Sequence, residues 1–210
     1  MRQRFEDRPF RFIQGDFLQP SPDFRTFDYV IGNPPYVPIQ NLEDEEKEEY
    51  RNRFDTAYDR FDLYFLFFER ALELLEPGGR LAFLTPEKFE YVDSAEPLRK
   101  LLNRYRIERI EHLEDGNFEE YTAYPTITVL EKRNGEVQTE VVLESEEHHH
   151  VSLPDTGESW TSDIRKQGDI MVDNGLTLGD VTERISVGVA TGADKIFVAK
   201  RTEITPVATG

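Results

Sequence analysis

The sequence contains no cysteine, which excludes disulfides, thiolate metal ligands and cysteine nucleophiles in one step. It also lacks any apolar run of 18 or more residues, and its first eight residues, Met1 to Arg8, are dominated by charge. Neither a membrane-spanning helix nor a secretory leader is expected, and the chain reads as soluble and cytoplasmic. Positive charge is scarce, with 25 Lys+Arg against 42 Asp+Glu and a net charge of −17. Such a balance normally argues against nucleic acid, because affinity for phosphates comes from Lys and Arg displacing condensed counterions. Two readings stay open: a chain adapted to high salt, in which charge serves solubility, or an acidic face remote from a locally basic groove. What remains is enough to fold. At 210 residues, 38% apolar and 12% aromatic, the chain can bury a core and is not of the disordered type.

Period and punctuation indicate alternating elements. Arg11 to Ile13 and Phe27 to Ile31 read as strands, the first closed by Gly15-Asp16 and the second by Gly32-Asn33-Pro34-Pro35. The acidic block Asn41 to Tyr50 reads as a solvated face or loop. Phe61 to Glu76 is apolar at helical spacing nearly all round and stops at Pro77-Gly78-Gly79, the pattern of a buried helix. Leu81 to Leu84 then reads as a strand, Ala95 to Tyr105 as a helix, and Ile107 to Leu113, Thr126 to Leu130 and Val137 to Leu143 as further strands. The alternation predicts an α/β sheet. Glu144 to Gln167 turns polar and is expected to be a linker. That linker includes His148-His149-His150, whose side chains alternate in direction on an extended chain, so no metal site is expected there. Trp160 is expected only to pack. No internal repeat is visible.

Asn33-Pro34-Pro35-Tyr36 follows the second strand. Four specified residues in a row arise by chance in about one chain in a thousand of this length. A strand-ending turn would explain the tetrapeptide by itself, but its chemistry suits one task well. The exocyclic amine of a nucleobase is a poor nucleophile, because its lone pair is delocalised into the ring. A catalyst must therefore hold both N–H groups with acceptors as a methyl group arrives. The Asn33 amide oxygen and the Pro34 carbonyl are such acceptors, and two successive prolines fix φ and offer no competing N–H. The same dipoles stabilise the positive charge growing on nitrogen. Tyr36 offers a ring face to a base turned out of the duplex.

From these residues onward the sequence resembles the amino-methyltransferases that use S-adenosylmethionine, in particular the gamma-class N6-adenine DNA methyltransferases of restriction-modification systems, including those fused to nucleases. Gly15-Asp16-Phe17-Leu18 resembles the motif whose Asp contacts the adenine end of the cofactor, and Asp28 to Val37 resembles the catalytic motif. Phe61-Asp62-Leu63-Tyr64 through Phe67 resembles the motif whose aromatic, here Phe67, lines the cofactor adenine. Leu75 to Pro86 resembles the helix-turn-strand that follows. Asn117-Phe118, ahead of Thr126 to Lys132, resembles the motif whose aromatic packs on the flipped base, with Phe118 the best match and Tyr121 the second. Taken singly, Asp16 reads as a loop cap and Phe67 and Phe118 as core; their joint order carries the resemblance. Leu176 to Phe197 is similar to the opening of a target-recognition region.

The resemblance implies the C-terminal half of a Rossmann-like class I methyltransferase sheet over residues 1–143, a linker at 144–167 and the start of a target-recognition region at 168–210. It implies S-adenosylmethionine as cofactor, held by Asp16, Phe17 and Phe67, and double-stranded DNA with a flipped adenine as partner. The family's glycine-containing first motif and its ribose-binding acid have no counterpart here. The expectation is therefore a partial catalytic domain, inactive or weak alone, with an apolar strand left unpaired. A truncated reading frame, a late start codon and a separate chain carrying the other half would each explain it. Two rivals stand beside this reading: another amine substrate (protein glutamine, ribosomal RNA or cytosine N4), and a non-catalytic remnant serving as a binding or subunit module.

Overall fold

A computed structural model describes residues 13–22, 25–113, 124–134 and 138–165. Six strands form one mixed sheet in the order β1-β2-β4-β3-β5-β6. They are β1 (Phe27–Gly32), β2 (Leu75–Pro86), β3 (Arg106–His112), β4 (Pro125–Glu131), β5 (Thr139–Val142) and β6 (His148–Val151). β1 runs parallel to β2, and β3 parallel to β5, while β4 is antiparallel to both its neighbours and β6 is antiparallel to β5. Four α-helices lie among the described residues: α1 (Asp44–Arg53), α2 (Leu63–Leu74), α3 (Glu96–Leu102) and the single turn α4 (Thr161–Ile164).

The helix read between Phe61 and Glu76 is α2, which buries Tyr64, Phe65, Leu66, Phe68, Ala71, Leu72 and Leu74 and lies against β2 and α3. Apolar residues all round suit a helix enclosed by sheet and helix. It ends without an intervening loop. Leu75 is already extended, and β2 runs straight through the expected breaker, with Gly78 at φ 82° absorbing the register shift against β1. Glycine reaches that φ without strain, so the breaker acts as a bulge.

Three expectations are refined, one of them mostly outside the described residues. The acidic block is helical, with Asp44, Glu45 and Glu46 in the first turn of α1 and Arg51 and Arg53 in its last. Charges so placed oppose the helix dipole, which is why a block without an apolar face still forms a helix. Ile13 is exposed and outside any strand; the rest of the strand read at Arg11 to Ile13 lies outside the described residues. Glu144 to Arg165 is no free linker. His149 and Val151 of β6 are buried, and Trp160 is fully buried with its ring edge-on to Phe89 at 6.0 Å. The Trp160 amide donates to Glu90 O at 2.8 Å, and Arg99 donates from Nε to Gly157 O at 2.8 Å. The segment packs back over α3. The target-recognition region expected at 168–210 lies outside the described residues, as do Phe118 and Tyr121.

Among the described residues β1 stands at the edge of the sheet, paired with β2, with Tyr29 72% and Ile31 85% exposed.

Candidate functional site

The tip of β1 carries Asn33 to Tyr36 at the carboxyl end of the parallel β1/β2 pair, the end at which open α/β sheets place their ligands. Gly32 lets the tip approach β2: a Cβ there would stand 3.1 Å from Phe83 Cε1. Beyond the tip, Leu63 N donates to Val37 O at 2.9 Å and Ile39 N to Phe61 O at 3.2 Å, so the start of α2 holds the loop. Asn33 and Pro35 are exposed, Pro34 is buried, and Tyr36 is half-buried.

The Tyr36 hydroxyl lies 2.6 Å from Asn33 Oδ1 and 3.1 Å from Leu84 O. Burial raises the Tyr36 pKa, which keeps the phenol protonated and able to donate. A carbonyl oxygen has two lone pairs, so Asn33 Oδ1 held by Tyr36 can still accept a second N–H. The amide is fixed at the surface and is not locked into the interior. Tyr36 meets Tyr64 edge-on at 6.1 Å.

Phe17 and Phe67, fifty residues apart, stack at 5.2 Å and 22°. A flat ring would lie against that pair, since 5.2 Å leaves no slot between them. Asp16 Oδ1 accepts from Leu18 N at 2.9 Å, so part of its carboxylate caps its own loop. The loop is held from α1: Arg53 donates from Nη1 to Gln19 Oε1 at 3.0 Å and from Nη2 to Leu18 O, and Gln19 donates to Glu49 at 2.8 Å. The acidic helix, to which the sequence assigned no chemistry, thus anchors the Asp16–Phe17 segment. A cavity of about 310 Å³ opens beside Pro38 and the start of α2, and none of Asn33, Pro34, Pro35 or Tyr36 lines it.

Sequence reading missed one buried cluster, because its members come together only through the fold. His112 Nε2, at the end of β3, lies 3.0 Å from both oxygens of Glu90 and 3.7 Å from Glu87. Arg165 contacts Glu87 at 2.6 Å and Glu144 at 3.2 Å. Glu87, Glu90 and His112 have the donor types of a metal site, but the imidazole and the guanidinium already answer these carboxylates. Burial opposes charge on His112, yet the hydrogen bond and attraction of Glu90, with Glu144 and Glu87 behind it, raise its pKa above 6.5. Burial likewise raises that of Glu90. A raised folded-state pKa contributes stability that is complete below the unfolded value and disappears as pH climbs through the folded one. Thermal melts should therefore show a lower melting temperature at pH 9 than at pH 6, and a Glu90→Gln, His112→Gln double variant should flatten the difference. An unchanged pH profile in the double variant would remove His112 and Glu90 as its source.

No helix among the described residues is long and apolar enough to cross a membrane. Residues 3–118 match the model of the Eco57I restriction-modification methylase family. The type II methyltransferase M.BstVI of Geobacillus stearothermophilus is 32% identical over 225 residues, an alignment covering 89% of this chain and 40% of the relative. The type II methyltransferase M.XhoI of Xanthomonas vasicola is 38% identical over 123 residues, covering 57% of this chain and 22% of the relative. The chain thus spans well under half the length of these curated relatives. In fold it is similar to the methyltransferase subunit of a type I restriction-modification system from Streptococcus thermophilus, at 19% identity and a TM-score of 0.50, covering 76% of this chain and 39% of that one. The α/β sheet is accordingly of the class I methyltransferase kind.

Proposed function

This chain belongs to the Eco57I restriction-modification methylase family, and from that premise we propose that it carries the catalytic tip of a site-specific DNA methyltransferase that acts in the cytoplasm and transfers a methyl group from S-adenosylmethionine to adenine N6. The observation that supports this reading is the exposed Asn33 amide, oriented by the Tyr36 hydroxyl at 2.6 Å, at the carboxyl end of β1.

S-adenosylmethionine, when bound, supplies an electrophilic methyl carbon on a sulfonium. The chain's residues do the rest. Asn33 Oδ1 and the Pro34 carbonyl accept the two N–H groups of the target amine and direct its lone pair at the methyl carbon. With the cofactor bound, transfer of its methyl group to the amine would release the sulfur as a neutral thioether, the two dipoles would stabilise the charge developing on nitrogen, and the surplus proton would leave to solvent. Phe17 and Phe67 would hold the cofactor's adenine against their stacked pair, with Asp16 contributing a carboxylate beside it. Tyr36, and Phe118 beyond the described residues, supply ring faces for the extruded base.

The test is transfer of a labelled methyl group to mixed-sequence duplex DNA. It should be run with this chain alone and with this chain supplemented by the part of the Geobacillus relative that it does not span. Label in DNA from the supplemented form is expected. Label in protein or RNA, or no transfer and no calorimetric heat on titration with S-adenosylmethionine, would overturn the reading in favour of its rivals.

A further inference from the structure

Three of the chain's four histidines stand in a row on β6, a strand at the edge of the sheet among the described residues. Successive residues of a strand point to opposite faces, so the three do not act as one group. Alternate residues, however, return to the same face about 7 Å apart. The middle histidine, His149, is buried, and its Nε2 lies 2.6 Å from Ile164 O on the packed face. His148 and His150 are both exposed on the other face.

The neighbouring strand brings a carboxylate to that pair. β6 runs antiparallel to β5 with His150 opposite Glu140 and His148 opposite Val142. Glu140 therefore faces His150 directly and His148 on the diagonal, both within reach of long side chains. His148 Nδ1 lies 3.0 Å from Glu140 Oε1. A tetrahedral ion with bonds of about 2.0–2.1 Å holds its ligand atoms about 3.3 Å apart, so these two atoms already stand close to ligand spacing. The His150 ring acts electrostatically on Glu140 from across the strands, and rotation of that exposed side chain closes the set.

The surroundings prepare the carboxylate. Its second oxygen, Oε2, accepts from Arg109 Nη1 at 3.3 Å, and Arg109 in turn donates from Nε to Glu111 at 3.0 Å. The guanidinium thus fixes Glu140 from behind and leaves Oε1 toward His148, the support that a ligating carboxylate requires. Hydrogen bonding from His148 lowers the Glu140 pKa against the opposing effect of desolvation, with the charge of Arg109 adding to it, so the group is ionised near neutrality. Two carboxylates against one guanidinium leave this patch negative, which a divalent cation balances.

We propose that His148, His150 and Glu140 form a surface site for a divalent transition-metal ion of the Zn²⁺ type, which clips β6 to β5. Two imidazole nitrogens and one carboxylate oxygen suit such an ion, whereas Mg²⁺ and Ca²⁺ take oxygen ligands. Water fills the fourth position, as the 52% exposure of the His148 side chain allows. The segment that continues from β6 carries Trp160 onto Phe89, so the clip secures one end of that packing. The site is separate from the Asn33 tip, and it does not rest on the function proposed above.

The experiment is calorimetric titration of the 210-residue chain, without an affinity tag, with ZnCl₂ near neutral pH, paired with thermal melts. One ion per chain is expected, with no heat from MgCl₂ or CaCl₂. His148→Ala and His150→Ala should each weaken Zn²⁺ binding at least tenfold, and Glu140→Gln about tenfold, since losing a ligand costs no less than losing the partner that orients one. Because both histidines are exposed, the variants should melt close to the parent without zinc. Zinc should raise the melting temperature of the parent and leave that of the His148→Ala, His150→Ala double variant unchanged. Absence of zinc heat in the parent, or undiminished affinity in the double variant, would overturn the proposal. Binding that survives the double variant and disappears in Glu90→Gln would place the ion with His112 in the buried cluster, and the surface site would fail.

Discussion

Replacing Asn33 with Ala should slow methyl transfer about 10²- to 10³-fold, the usual cost of removing one fixed dipole from a transition state. The affinity for S-adenosylmethionine should stay within about twofold, because the Phe17–Phe67 stack is built from α2 and the Asp16 loop and not from the tip of β1. The fold should be unaffected, since Asn33 is exposed. A companion variant separates two roles for the amide. If Asn33 served only to hold Tyr36, then Tyr36→Phe, which removes the 2.6 Å contact, would lose as much rate as Asn33→Ala. An acceptor role predicts a smaller loss for Tyr36→Phe, below about tenfold, because the amide oxygen persists and loses only its orientation. Single-turnover rates on the supplemented form, with cofactor affinity measured in the same samples, decide between the two.

The second large effect concerns stability. Trp160→Ala should destabilise the folded unit by about 3–5 kcal/mol, the range for truncating a buried large aromatic. The indole is fully buried and meets Phe89 edge-on, and its backbone is tied to Glu90. A loss of that size is a large share of the 5–15 kcal/mol typical of a domain. Urea unfolding followed by far-ultraviolet circular dichroism measures it. A loss under about 1 kcal/mol would return Glu144 to Arg165 to the status of a connector. The consequence reaches the site, because Glu90 and Glu87 belong to the turn that follows β2, and Leu84 of β2 carries the carbonyl beside the Tyr36 hydroxyl.

Legibility in the sequence followed the range of the interactions. Phe27 to Ile31, Phe61 to Glu76 and Leu81 to Leu84 were readable because apolar spacing is a local record of burial, and each appears within a few residues of its expected place. The Asn33–Tyr36 tip was readable because its chemistry is contained in four consecutive residues. The pairing of Phe17 with Phe67 came only with the family resemblance, since no local pattern joins residues fifty apart. Segment 144–165 was misread because its strand is polar. His148 to Val151 alternates exposed and buried, but three histidines in a row conceal that alternation from a hydrophobicity count. The acidic block was left open between a solvated face and a loop, as charge placement alone distinguishes a solvated helix such as α1 from a loop. The Glu87–Glu90–His112 cluster was invisible, because burial of a carboxylate is a property of its surroundings.

One measurement tests the central claim most directly: the position of the methyl group in DNA modified by the supplemented enzyme, read by digestion to nucleosides and mass spectrometry. Two carbonyl acceptors at the end of β1 suit an exocyclic amine, and with adenine as the proposed substrate the account predicts N6-methyldeoxyadenosine. N4-methyldeoxycytidine would contradict the adenine assignment, and label on a ring nitrogen or on carbon 5 of cytosine would contradict the acceptor role itself, because neither of those atoms carries the pair of N–H groups that the proposed acceptors, Asn33 Oδ1 and the Pro34 carbonyl, require.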